Sequence, residues 1–180
     1  MTDAIFFDTD CICAFLWVNN ESLLEKMYPD KIIIPKEVYD EIDKPAISHL
    51  KARIDRLIKN GSAKVMSMDI GTEEYSLYRN LTTFSGNNKV IGSGEAASIS
   101  LAKKYNGILG SNNIRDVAYY VNEFSLRHIT TGDLLIEAFK RELITEQQGN
   151  QIWADMIKKR RKIGANSFTE FLKIKVSKLK

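Results

Sequence analysis

At 180 residues, 44% apolar and 27% charged, the chain can bury one full core and has the ordinary composition of a soluble globular domain. No apolar run approaches the roughly 18–20 residues that span a bilayer, and the start MTDAIFFDTD has an acid at position 3 and no basic stretch. Neither a membrane span nor a signal peptide is therefore expected, and the expected location is the cytoplasm. The net charge of +3 hides an asymmetry: residues 158–180 hold nine basic residues and one acid, Glu170, whereas residues 1–157 hold seventeen basic and twenty-two acidic ones.

In chain order, residues 4–7 form a short apolar run that ends at Asp8, as in a buried parallel strand. Residues 11–18 are apolar and contain both cysteines, Cys11 and Cys13. One residue apart, these make no disulfide framework and supply too few ligands for zinc, so they read as small buried residues. Residues 19–28 read as a polar-capped helix. Residues 31–34 are β-branched and closed by Pro35, which gives a second strand followed by a helix over residues 36–43. Ile47, Leu50, Ile54, Leu57 and Ile58 recur at helical spacing until Asn60-Gly61 stops them.

Residues 63–68 form a third predicted strand. Thr72-Glu73-Glu74 opens a helix expected to reach Phe84. Residues 85–94, rich in Gly and Asn, read as a loop that leads into the helix of Glu95. A strand over 107–110, a helix over 114–124 and a strand over 126–130 follow. Thr131-Gly132-Asp133 is expected to cap a helix to about Glu142. Helices over 145–161 and 167–178, joined at Gly164, complete the chain. This alternation predicts an α/β fold with a parallel sheet covered on both faces.

Three acids stand where predicted strands end and helices begin: Asp8, Glu95 and Asp116. Ligands of an open parallel sheet bind outside the carboxyl ends of its strands. Carboxylates gathered there repel one another unless a cation joins them, and Mg²⁺ or Mn²⁺ suits oxygen ligands. Each acid also has a plainer reading, since Asp8 could cap the next helix and Glu95 and Asp116 could serve their helix dipoles. Asp10 lies two residues beyond Asp8. Asn112 and Asn113 could orient a carboxylate or a metal-bound water, or simply form a turn. Glu41 lies beside the buried stripe set by Val38 and Ile42, and could equally belong to a solvated face. His49 and His128 read as structural.

The segments IFFDTDCICAF, IIIPKEVYDEI, GSGEAASISLAKKYNGIL and RHITTGDLLIEAFKRELIT occur in an order that resembles the PIN-domain family of ribonucleases, over roughly residues 4–145. The resemblance implies a three-layer α/β/α sandwich with a short central parallel sheet. It also implies an acidic cluster holding Mg²⁺ or Mn²⁺, in which the metal activates water to cleave single-stranded RNA. Many members are toxins of toxin–antitoxin pairs, so an antitoxin protein and a homodimer are implied as partners beside RNA. By position, Asp8, Glu41 and Glu95 match the family's first three acids. Many relatives carry Asp where this chain has Ser111, and the fourth role is assigned to Asp116, one helical turn on. The implied catalytic set is Asp8, Glu41, Glu95 and Asp116, with Asp8, Glu95 and Asp116 on the metal and Asp10, Asn112 and Asn113 supporting them.

On this reading residues 1–145 form the nuclease domain, and residues 146–180 form a basic helical extension packed on it. Lys158, Lys159, Arg160 and Arg161 are the expected RNA-binding residues, on a helix away from the acidic site. Two alternatives stay open. A PIN-fold interaction protein would keep the fold with little or no catalysis. A haloacid-dehalogenase-like phosphatase would use Asp8 as nucleophile and Asp10 as acid, since IFFDTDC fits that start too.

Overall fold

The computed structural model describes residues 3–83 and 90–177. Five strands form one parallel sheet: β1 (Ile5–Phe7), β2 (Ile32–Pro35), β3 (Ala63–Met66), β4 (Ile108–Gly110) and β5 (Arg127–Ile129), in the spatial order β3-β2-β1-β4-β5. β1 is central and pairs on both edges, Phe6 lying opposite Ile33 of β2 and Leu109 of β4. The chain builds outward from β1 on one side and then crosses to build outward on the other. The strand order therefore reverses beside β1 and β4, and a crevice opens at such a reversal.

Strand alternation decides which face each side chain serves. Ile5 and Phe7, with Ile32 and Ile34, face one apolar cluster. Helices α1 (Thr9–Trp17), α2 (Glu21–Met27), α3 (Lys36–Ile42), α4 (Lys51–Lys59), α8 (Thr131–Lys140), α9 (Glu146–Lys158) and α10 (Phe168–Ser177) contribute to it. Phe6, Ile33 and Leu109 face the other cluster, with α5 (Glu73–Thr82), α6 (Ser93–Lys104) and α7 (Ile114–Glu123). The architecture is the expected α/β/α sandwich. Ile152, Trp153 and Met156 of α9 and Phe168 and Phe171 of α10 belong to the first cluster, so the C-terminal helices share the core of the sheet. Among the described residues, no helix is long and apolar enough to cross a membrane.

Several element ends differ from expectation. Half of the predicted loop over 85–94, residues 85–89, lies outside the described residues, and α6 begins before its expected end, at Ser93 after the cap Gly92. α8 is capped by Thr130 rather than by the three residues after it: Thr130 Oγ1 accepts from Asp133 N, and Asp133 accepts in return from Thr130 N. The expected helix over 145–161 stops at Lys158. Arg160 adopts φ 58°, and the Arg161 amide donates to Met156 O at 3.0 Å. That left-handed turn ends α9 early and redirects the basic run.

Candidate active site

β1 delivers Asp8 to the crevice. Asp8 N still donates to Gly110 O of β4 at 2.9 Å, and Asp8 Oδ1 then accepts from Cys11 N at 2.7 Å as the cap of α1. The capping role is thus real, but it takes only one carboxylate oxygen. Asp8 is 1% exposed, and its Oδ2 is buried with no hydrogen-bond partner. Burial pushes its pKa up to about 7, and the negative charges of Asp10 and Glu95 push the same way, while the nearby Ser111 hydroxyl and the Cys11 amide pull it partly back.

Glu41, at the end of α3, is held on both oxygens. Oε2 accepts from the Thr9 hydroxyl of α1, and Oε1 accepts from Gly94 N of α6 at 3.0 Å. The first amides of a helix lack intrahelical partners, so a carboxylate from another element satisfies one here and meets the positive end of the helix. Gly94 is required by this approach: a Cβ there would lie 2.7 Å from Thr9 Oγ1 and 2.9 Å from Glu41 Oε2. Glu41 therefore ties α1, α3 and α6 together.

Glu95 is the next residue on α6; it opens a helix as expected but follows α5 rather than the end of a strand, and packing of α6 brings it to the site. Its Oε1 accepts from Asn113 Nδ2 at 2.7 Å, and the same amide donates to Asp116 Oδ2 at 2.6 Å. Asn113 thus draws Glu95 and Asp116 together across two elements. Its neighbour Asn112 does comparable work between α8 and α1. Asn112 Nδ2 donates to Thr131 Oγ1 at 2.9 Å and to Asp10 Oδ2 at 3.4 Å, and its Oδ1 accepts from Thr131 N at 2.8 Å. Ser111 is fully buried, its Oγ accepting from Asn113 N at 3.2 Å. His128 of β5 donates from Nε2 to Ser111 O at 2.8 Å, and burial holds its pKa below the usual histidine value, so it stands as a neutral structural donor. Both cysteines are free and buried, and burial raises both thiols.

Contrary to the expectation from the sequence, the basic segment reaches the acids. Arg161 Nη1 donates to Asp10 Oδ1 at 3.2 Å, and its Nε donates to Lys159 O at 3.1 Å. A cavity of about 420 Å³ is lined by Asp10, Glu95, Asn112, Asn113, Arg160, Arg161 and Lys162. Of the other two basic residues singled out, Lys158 pairs with Asp155 at 3.0 Å and Lys159 lies over the Trp17 ring at 5.4 Å from its centre. A larger cavity of about 590 Å³ runs along β5 and α8 and contains none of the predicted site residues.

Among the described residues, no three acidic, cysteine or histidine side chains form a ready metal cage. The donors still suit a hydrated divalent ion: a buried, unpartnered carboxylate oxygen on Asp8, with the carboxylates of Asp10 and Glu95 close enough to oppose its ionisation. Mg²⁺ commonly keeps several waters and uses one or two carboxylates with substrate phosphate, rather than a closed protein cage. Thr9 went unremarked as a site residue in the sequence. Thr9 lies between two acids in DTD, which is a local signal. Thr131 meets Asn112 and Cys11, partners 19 and 120 positions away, so its place in the site has no local signal.

No curated protein matches the chain. A family model described as a PIN domain matches residues 4–177, from the strand that delivers Asp8 to the last described helix. The chain belongs to the PIN domain family.

Proposed function

We propose that the chain is a metal-dependent endoribonuclease that hydrolyses phosphodiester bonds of single-stranded RNA. PIN domains are generally nucleases and typically use divalent metals. The observation that carries the reading is the buried, unpartnered Oδ2 of Asp8, placed among further acids where the strand order reverses.

Asp8, Glu95 and Asp116 would hold Mg²⁺ or Mn²⁺. When bound, the ion supplies charge neutralisation on the phosphate and a more acidic water. Asn113 orients Glu95 and Asp116, and Glu41 fixes the start of α6 so that Glu95 faces the cavity. Asp10 and Asn112, joined to each other, line the same cavity. RNA is the substrate on this reading, and an antitoxin or a second copy of the chain is the protein partner that family resemblance implies. The phosphatase alternative rested on the IFFDTDC start, which here lies inside the match to the PIN family.

Two observations favour the second reading, a PIN fold with weak catalysis: Arg161 already partners Asp10, and no closed carboxylate cage exists among the described residues. Cleavage of a varied single-stranded RNA pool separates the two. Mg²⁺ or Mn²⁺ should support cutting and EDTA should stop it. Asp8→Asn and Glu95→Gln should each lower the rate at least about 100-fold with the fold intact. An intact RNA pool with folded protein in both metals would leave the weak or inactive reading standing.

A further inference from the structure

The mixed charge of the cavity has a specific consequence. Three cations, Arg160, Arg161 and Lys162, line it with two acids, Asp10 and Glu95, and with the amides Asn112 and Asn113. Two constraints aim Arg161 inward. Arg160, at φ 58°, ends α9 in the same left-handed turn that follows α1, α6, α7 and α8, and that turn directs Arg161 towards the acids. The guanidinium is then fixed from Lys159 O on one side and Asp10 on the other, with its side chain 24% exposed. An arginine fork binds two partners at once, so pairing with Asp10 through Nη1 leaves donors for a phosphate oxygen.

We propose that Arg161, held by Asp10, is the phosphate anchor of the acidic site, seating a backbone phosphate of single-stranded nucleic acid beside Glu95 and Asn113. Arg160 and Lys162 extend the same seat along the strand. The chain thereby supplies to its own carboxylates a cation from 151 residues away, and the basic segment becomes part of the site rather than a separate patch. Arg161 is a binding residue on this account, and Asp10 is its positioning residue.

The inference rests on the nuclease reading for its choice of ligand, but its test needs no cleavage. A fluorescent single-stranded RNA oligonucleotide is titrated in EDTA, and anisotropy is followed across a salt series. Arg161→Ala should weaken binding roughly tenfold and reduce the salt slope by about 0.7, the value for one phosphate contact on a single strand. Lys173→Ala, which removes an equal charge from an exposed position on α10, should change affinity less than about twofold. Asp10→Asn with Arg161→Ala distinguishes anchoring from mere neutralisation of Asp10: an anchor stays lost in the double variant, whereas a structural counter-ion is no longer needed and binding returns.

Circular dichroism checks the fold of each variant. Should Arg161→Ala unfold, Arg161→Lys answers the same question, since it keeps the charge and loses the fork. A loss of about threefold or more supports the anchor, and native affinity overturns it. Unchanged affinity and slope in Arg161→Ala, or recovery in the double variant, likewise overturns the inference. Metal-dependent cutting could persist in that case, and the nuclease reading would stand alone. Conversely, Arg161-dependent binding with no cutting in any metal removes the nuclease reading and leaves the anchor.

Discussion

Asp8 shows how one residue can be both structural and poised for chemistry. Oδ1 caps α1, and Oδ2 is buried unpartnered. Its pKa is raised in the folded chain, so folding favours the protonated form. Its contribution to stability is therefore fully present below the unfolded value near 3.8 and is lost as pH rises to about 7. We expect Asp8→Asn to stabilise the metal-free protein at pH 8, because Asn keeps an acceptor for Cys11 N without the buried charge. The gain is bounded at roughly 4 kcal/mol by the shift, so a rise in Tm of several degrees is expected, shrinking towards zero near pH 4. Mn²⁺ should raise Tm of the native chain and leave Asp8→Asn nearly unmoved. Thermal melts across pH, with and without Mn²⁺, check both statements, and a variant less stable at every pH would refute the burial argument. The position of Asp8 after an apolar strand was legible in the sequence. The isolation of Oδ2 was not, because it depends on what packs around the carboxyl from Ser111 and the neighbouring helices.

Among the elements, the termini of helices carry most of the site. The start of α6 meets Glu41, the start of α7 presents Asn113 and Asp116, and the end of α9 turns Arg161 inward. The segment GSGEAASISLA pointed to the α6 start, since a glycine beside an acid at a helix start has few other uses. The end of α9 was misread: helical periodicity continued through the basic run, and Arg160 is no glycine to mark a left-handed stop. Close helix packing offers a sharper test. A Cβ on Gly149 of α9 would collide with the Phe168 ring of α10. Gly149→Ala should therefore destabilise the protein by about 1–3 kcal/mol, the usual range for overpacking. At this chain length that lowers Tm by roughly 2–10 °C. Calorimetry checks it, and an unchanged Tm would mean that α10 shifts without penalty.

At the scale of the whole molecule, the C-terminal helices belong to the core. Trp153 is fully buried, its Nε1 donating to Ala165 O at 3.0 Å, and Phe168 is fully buried beside it. A chain ended at residue 145 would expose the apolar surface that these residues cover. It should lose its cooperative thermal transition and bind a hydrophobic dye, whereas an appended extension could be removed with little change. The order of strands and helices, the parallel α/β class, Asp8 at the end of β1, and Glu95 and Asp116 in the first turns of α6 and α7 were all legible along the chain. These follow from local periodicity and end signals, which neighbouring residues encode. Only the tertiary structure decided that Glu41 binds α6, that Asn113 joins Glu95 to Asp116, and that Arg161 reaches Asp10. Those contacts join residues 53, 18 and 151 positions apart, or cross between elements. Side chains that distant share no local pattern, and they meet only because the strand order brings the ends of β1 and β4 together and packs α9 against α1.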